Sequence, residues 1–390
     1  MPSRIAHLKI SLFYAFLSLG MGVQLPFLPL WLGGKGLSAS EIGIVFAGMT
    51  ASRIFASPLV ALAADRYNNR RAIIILCCFL SFASYLGLAL ASGFWPIFAL
   101  AVVAGAAFAP VFPLGEGFGI DGSKEYGLDY GRLRLWASLS FLAGSLLSGA
   151  ALQVVPIWTV IFMIAAAQGA LALVTLSLPP DVPRREESVS KGSGGMTALF
   201  AGSTFVIFLL ATGLGQASHG LLNALGSVQW QNQGFNAFTI GCFWAAAVLG
   251  EVLFFVFARR AFIRLGAVNL IAAGVAGGLL RWMILSLEPS LLITGLSQLL
   301  HAASFAMVHL GTMHFIQSNV PRSMRNTAQG IHAAFSGGMF MAATMWMSGP
   351  LYNSLGAGAF LVMAAISAVA LGFALMLVRI SPRAPVLADT

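Results

Sequence analysis

Charge is what this 390-residue chain has least of: Asp, Glu, Lys and Arg together make up 8% of it, against roughly 25% in soluble domains. A water-soluble surface of this size cannot be built from so few charges, so a soluble enzyme is excluded. Cysteine is scarce as well. Cys77, Cys78 and Cys242 all fall in apolar stretches, which speaks against a disulfide framework or a metal site. Polar sequence long enough for a separate soluble domain is absent. A cleavable leader is not expected either. The apolar segment after Met1 to Lys9 exceeds a signal-peptide core and lacks a small-residue cleavage site, and reads as a first membrane span.

Apolar sequence is abundant instead: 58% of residues are hydrophobic and the mean hydropathy is +0.88. A helix crosses a bilayer with about 20 apolar residues. The pattern predicts an all-α membrane protein with twelve transmembrane helices. Six lie near 8–31, 38–64, 72–92, 95–118, 131–154 and 157–178, and six near 197–226, 237–258, 264–286, 290–318, 327–348 and 355–380. Between the sets lies a Pro-, Gly- and charge-rich stretch from Pro179-Pro180-Asp181 to Gly194-Gly195, the composition of a solvated linker. The expected organisation is an N-terminal half over 1–178, a cytoplasmic linker over 179–196 and a C-terminal half over 197–390.

The net charge of +9 reads as orientation rather than affinity for nucleic acid. Of the 21 lysines and arginines, seventeen fall in the termini, the linker and alternate loops, from Arg4 and Lys9 to Arg379 and Arg383. Only Lys35 falls in the opposite loops, and Arg53, Arg134 and Arg281 fall inside spans. Basic residues collect on the cytoplasmic side. Both termini and the linker are therefore expected there, in a multi-pass protein of the cell inner membrane.

The halves repeat at an offset of 198 residues. Gly36-Leu37-Ser38-Ala39 corresponds to Gly234-Phe235-Asn236-Ala237, Ile42-Gly43 to Ile240-Gly241, and Arg53 to Glu251. Ser38 and Asn236 both suit a helix N-cap. Two six-helix halves in the same orientation are related by a pseudo-twofold axis along the membrane normal, a known transporter plan. Charges within spans are costly and functional by default. Arg53 and Glu251 are thus candidates for a solute or coupling-ion site, with a structural ion pair as the competing reading. Glu116 near the end of span 4 and Arg134 early in span 5 come to similar depth across a short loop. An arginine fork can hold a carboxylate at two points, either that of Glu116 or that of a solute. Glu251 and His219 can both take up a proton if their surroundings favour it. His301, His309 and His314 are spaced by eight and five, which does not place them on one helical face, so no metal is expected. Trp31, Trp95, Trp158 and Tyr352 read as interfacial anchors.

The segment Asp65-Arg66-Tyr67-Asn68-Asn69-Arg70-Arg71 resembles the loop between helices 2 and 3 of the major facilitator superfamily, Gly-x-x-x-Asp-Arg-x-Gly-x-Arg-Arg. Ala61 and Asn68 replace its two glycines. Asn tolerates a left-handed backbone better than most residues. The resemblance implies that Asp65, Arg66, Arg70 and Arg71 gate the cytoplasmic side. Tyr130-Gly131-Arg132-Leu133-Arg134-Leu135-Trp136 with Ser138 and Phe141 is similar to the oligosaccharide/proton symporters and, more closely, to the phenylpropionate permease family. Ser218-His219-Gly220, Trp230-Gln231, Trp244, Glu251, His301 to His309 and Arg325-x-x-Ala328-Gln329-Gly330 extend the second likeness over almost the whole chain.

Against the lactose permease branch, Glu116 and Arg134 match the substrate-binding carboxylate and arginine, and Glu251, Arg281 and His301 match charged and titratable positions of the second half. Ser304 stands where that branch has its proton-carrying glutamate, and Phe141 where it has a sugar-stacking tryptophan. These departures point away from a galactoside. The Gly-Pro pair that marks many antiporters in helix 5 is missing, which leans towards symport. The resemblance implies proton-coupled import of a small organic solute, foremost an aromatic carboxylate such as 3-phenylpropionate. A sugar, nucleoside or drug carrier is the alternative. Glu116, Arg134, Arg53 and His219 are then the substrate-binding candidates, and Glu251, Arg281 and His301 the proton-coupling ones. The partners are the solute, protons and the lipid bilayer, the driving force is the proton gradient with no cofactor, and a monomer is expected. Neither an activated nucleophile nor a signalling domain supports a membrane enzyme or a receptor.

The orientation argument has a direct check. Reporter fusions placed after Thr390 and within the 226–236 loop should report opposite sides of the membrane; the same side at both would break the assignment.

Overall fold

The structure, a computed structural model, describes residues 2–127, 129–179, 197–200 and 202–380. The linker expected over 179–196 lies outside the described residues except for Pro179, as do Arg184, Arg185, Lys191 and Arg383. Among the described residues every regular element is helical: α1 Pro2–Gly34, α2 Ala39–Tyr67, α3 Arg70–Leu90, α4 Phe94–Phe108, α5 Val111–Tyr126, α6 Tyr130–Ala151, α7 Val160–Thr175 and α8 Thr197–Phe200. Then come α9 Ser203–Ala217, α10 Ser227–Asn232, α11 Ala237–Leu285, α12 Leu291–Leu299, α13 Val308–Asn319, α14 Arg325–Ala333, α15 Met341–Leu355 and α16 Ala359–Ile380. Among the described residues, eleven segments are long and apolar enough to cross a membrane. The last of them, Arg322–Ile380, runs 59 residues and breaks where Gly356 turns to φ 55°. Likewise α11 changes direction at Gly266, with φ 72° and ψ 170°.

Local chemistry fixes the helix ends. Ser38 accepts from Glu41 N while the Glu41 carboxylate accepts from Ser38 N, a reciprocal cap that satisfies two orphan donors at once. Asn236 Oδ1 accepts from Thr239 N at 2.9 Å. Asn68 adopts the left-handed backbone, φ 45° and ψ 41°, and donates its N–H to Asp65 O. Asn69 then caps α3 by accepting from Ala72 N. Asn thus makes the turn that glycine makes in the related motif.

The residues fall into two compact units, Met1–Arg185 with Ala224–Ala245, and Glu186–Asn223 with Ala246–Thr390. In the first, α1 is the central helix. At Gly22 an added Cβ would collide with the Phe141 carbonyl, and at Gly144 with the Leu19 carbonyl. Ser145 Oγ donates to Gly22 O at 3.0 Å. Helices α1 and α6 therefore meet backbone to backbone, as small residues permit in membranes. Phe13, Tyr14, Ile74, Cys78, Val111, Leu133 and Leu171 form the core beside this contact. In the second unit Phe208 stacks on Phe315, centroids 4.2 Å apart, within a core that includes Ile271, Val308, Ala370 and Leu377.

Three π-helical turns interrupt the second unit's helices: Leu222–Gly226, reaching into the first unit, Ala302–Met307 and Ala334–Phe340. Such turns recur at functional sites. Large apolar side chains such as Leu76, Leu90, Leu292 and Leu361 are exposed, a surface suited to lipid tails rather than water.

The α1–α6 contact predicts which glycines matter. Gly22→Ala and Gly144→Ala should each destabilise by about 1–3 kcal/mol through overpacking, read as a lower unfolding temperature in detergent. Gly372→Ala, which meets nothing within 4 Å, should leave that temperature unchanged or raise it.

Candidate functional site

Two polar clusters interrupt the apolar helices, one in each unit. The first is built on α5. The chain leaves α5 at Gly127, left-handed at φ 63°, and re-enters at α6 with Asp129 as N-cap, its side chain accepting from Arg132 N. This short turn places Arg134 beside Glu116. Arg134 Nη1 donates to Glu116 Oε1 at 2.5 Å. Tyr14 OH, from α1, donates to Oε2 at 3.2 Å, and Tyr130 OH donates to the same oxygen. Glu116 is mostly covered, its side chain 16% exposed, whereas Arg134 is 49% exposed and lies over the Phe112 ring, 5.7 Å from its centroid.

Two phenols on one oxygen have a chemical consequence. If Arg134 turns away, Glu116 keeps two donors and remains satisfied. The guanidinium, with five donors and half its surface open, can offer a fork to another group.

Arg53 sits on α2 and joins neither cluster. Its side chain is exposed, and it forms no ion pair among the described residues. The four loop residues divide. Arg70 is buried, donates to Asp121 Oδ2 at 2.7 Å and lies 4.1 Å over the Phe118 ring. Gly117 leaves room for it, since a Cβ there would strike Arg70 Nη1. Arg71 donates to Leu176 O at 2.5 Å. Asp65 and Arg66 are exposed. Two of the four thus brace the first unit internally.

The second cluster centres on Arg281 of α11, which is 0% exposed. Its Nη2 donates to Gln298 Oε1 at 2.5 Å, and its Nη1 faces His301 Nδ1 at 3.1 Å and Ser304 Oγ at 3.4 Å. The guanidinium also lies 5.0 Å from the Trp282 ring. His301 Nε2 is 3.9 Å from Glu251 Oε2, with side-chain exposures of 19% and 25%. His219, almost fully buried, holds Gln216 O with Nδ1 and Ser304 Oγ with Nε2, both at 3.0 Å. The structure therefore brings Glu251, Arg281, His301 and His219 together in one cluster. The π turn Ala302–Met307 carries Ser304 to the point where it bridges His219 and Arg281.

Acceptor chemistry fixes the tautomers. An arginine has no lone pair to offer, so His301 Nδ1 must be bare and its hydrogen must sit on Nε2, towards Glu251. A carbonyl oxygen only accepts, so His219 carries its hydrogen on Nδ1, and its Nε2 accepts from the Ser304 hydroxyl. His314 stacks on Phe262 at 3.8 Å and His332 lies against Phe208, both packing roles. Among the described residues no group of His, Cys, Asp or Glu could hold a metal.

Sequence reasoning missed Tyr14, Tyr130, Asp121 and Gln298. The phenols and the amide are uncharged, so no charge pattern signals them, and Tyr14 lies 102 positions from its partner. Asp121, five residues after Glu116 on the same helix, was legible as an acid near the basic loop.

Comparisons with known proteins agree with this architecture. The signature of the MFS_1 like family matches residues 7–363. The Probable 3-phenylpropionic acid transporter of Escherichia coli (strain K12) is 27% identical over 352 residues, covering 89% of this chain and 91% of the relative. The Maltose permease of Geobacillus stearothermophilus is 24% identical over 340 residues, covering 84% and 83%. The crystal structure of nucleoside transporter NupG superposes with a TM-score of 0.83 at 16% identity, over 96% of this chain and 100% of that one, a likeness of fold alone.

Proposed function

Because the chain belongs to the MFS_1 like family of the major facilitator superfamily, a multi-pass membrane transporter moving small solutes by alternating access, we propose that it is a proton-coupled symporter importing a small organic solute. Arg134 and Glu116, with Arg53 of the same unit, bind the solute, and His219, whose ring nitrogens are both engaged in the second cluster, supports that cluster. Glu251, Arg281 and His301 handle the proton. Asp65, Arg66, Arg70 and Arg71 form the cytoplasmic gate.

The working arrangement is twelve crossings in two six-helix halves, with termini and linker cytoplasmic. A 59-residue helix would be about 88 Å long, roughly three times the hydrocarbon thickness. The break at Gly356 supports counting Arg322–Ile380 as two crossings.

The observation that carries the solute reading is the half-open Arg134 fork beside a carboxylate that two phenols keep satisfied. An aromatic carboxylate such as 3-phenylpropionate fits: its anionic end competes with Glu116 for the guanidinium, and Phe112 lies under the same group. The relative from Escherichia coli supports this class. The alternative is an uncharged solute, a sugar or nucleoside, whose hydroxyls would bond to Glu116, Arg134, Tyr14 and Tyr130 without separating them. The maltose permease likeness, over 84% of this chain, supports that class.

Direct binding of 3-phenylpropionate and of uridine to the purified protein separates the two. If the carboxylate is the solute, Arg134→Gln should weaken its binding roughly 10- to 150-fold, the equivalent of a charge-assisted bond worth about 1.5–3 kcal/mol. Arg134→Lys should also be impaired, because it keeps the charge but loses the planar fork. Carboxylate binding at wild-type strength in both variants would leave Arg134 as a structural partner of Glu116. Uridine binding with no carboxylate binding would establish the alternative.

Coupling has its own test. Glu251→Gln should abolish uphill accumulation in vesicles with an imposed pH gradient while sparing exchange of labelled for unlabelled solute, since exchange needs no net proton movement. Uphill accumulation by that variant would show that coupling does not need the Glu251 carboxylate.

A further inference from the structure

His301 has one bare ring nitrogen, and Arg281 occupies it. Nδ1 accepts from Arg281 Nη1 at 3.1 Å, while Nε2–H faces Glu251 Oε2 across 3.9 Å. Any proton that His301 takes up must bond to that same Nδ1 lone pair. Once Nδ1 carries hydrogen it cannot accept from Arg281, and two donors face each other.

We propose that Arg281 and the transported proton compete for the Nδ1 lone pair of His301, so that proton uptake is sensed as the loss of the Arg281–His301 hydrogen bond. The inference deepens the proton-coupled reading given above and rests on it. The step balances simply. A proton from the medium forms the Nδ1–H bond, imidazole becomes imidazolium, and no other covalent bond changes. Glu251 then faces a charged ring instead of a neutral one. Arg281 keeps Gln298 Oε1 and Ser304 Oγ as acceptors, so the guanidinium is released at one edge only and stays anchored.

The groups facing His301 fit this role. Glu251 and Arg281 flank its two nitrogens, and His219 meets the ring edge-on with centroids 5.6 Å apart. Phe305 stacks on it with centroids 5.0 Å apart. His219 is a poorer seat for the proton. Its Nδ1–H is committed to Gln216 O, and protonating Nε2 would turn both it and Arg281 into donors to the single Ser304 oxygen. His301 and Glu251 keep part of their surfaces open, whereas His219 is almost closed off.

Gln298 and Ser304 act as positioning residues in this arrangement. They hold Arg281 against one ring nitrogen of His301 while the other faces the Glu251 carboxylate. The Ser304 hydroxyl also spans from Arg281 to His219, from a turn whose backbone departs from α-helical bonding. After loss of the Nδ1 bond Arg281 thus remains tied, through Ser304, to the π turn that follows His301.

The test has one arm that needs no solute. Imidazole nitrogen-15 spectra of the purified wild-type protein at neutral pH, with the His301 signal assigned by its disappearance in His301→Gln and His301→Asn, should show hydrogen on Nε2 and none on Nδ1. Hydrogen on Nδ1 in that resting protein would overturn the proposal. The second arm uses vesicles with an imposed pH gradient, with 3-phenylpropionate and uridine as probes. His301→Gln, whose amide oxygen can still accept from Arg281 but which cannot be protonated, should exchange the transported probe and fail to concentrate it. Uphill accumulation by His301→Gln, where wild type also accumulates, sinks the competition while leaving proton-coupled transport intact. Probe uptake by wild type that is indifferent to the pH gradient sinks the symport reading itself, and with it the transport role given to His301.

Discussion

A guanidinium deprived of water must be given acceptors by the protein, and the second unit is arranged around that requirement. Arg281 is wholly buried, and an unpaired charge in such a place costs several kcal/mol. Its acceptors are all neutral: an amide oxygen, a hydroxyl and an imidazole nitrogen. The nearest carboxylate in the cluster, Glu251, meets it through His301 rather than directly. A direct ion pair would hold the charges in one state. A titratable ring between them makes their relation depend on a proton, which is what a coupled carrier requires of its machinery.

The first unit solves a similar problem in the opposite way. There the carboxylate is the covered partner and the arginine the open one. Glu116 collects three donors, two of them phenols that carry no charge. The carboxylate is thereby held in place, while Arg134 retains unused donors over the Phe112 face. Arg53, exposed and without an ion pair among the described residues, adds a further positive charge to the same unit. One cluster thus offers a cation to its surroundings, and the other keeps its cation enclosed.

Much of this was legible in the sequence, for identifiable reasons. Hydropathy locates helices because a bilayer admits little else. Arg134 could be paired with Glu116 because a short turn between antiparallel helices leaves few other arrangements, and Asn68 could be placed in a left-handed turn by its side-chain chemistry. Other features had no local signal. Tyr14 lies 102 positions before Glu116, and Gln298 is one polar residue among many on its helix. Gly22 and Gly144 look like any other glycine in a membrane span until the backbones are seen to touch. The grouping of Ala224–Ala245 with the first unit follows packing, such as Gly241 against the Ser145 carbonyl, and no change in composition marks its ends.

The π turn at Ala302–Met307 constrains how this helix can change its length. A π turn holds one residue more than the same turn of α-helix would, so deleting a single residue there can restore regular winding while the helix beyond keeps its phase, whereas a deletion in the regular winding of α12 would rotate everything beyond it by about 100°. A deletion in α12 would carry the parallel column of His301, Phe305 and His309 off its face, and Phe315 would lose its stacking on Phe208. Substitutions along α12 and α13 alter one contact at a time, but a change of register there dismantles several at once. Related chains should therefore vary in side chains along this helix far more freely than in the number of residues it contains outside that turn.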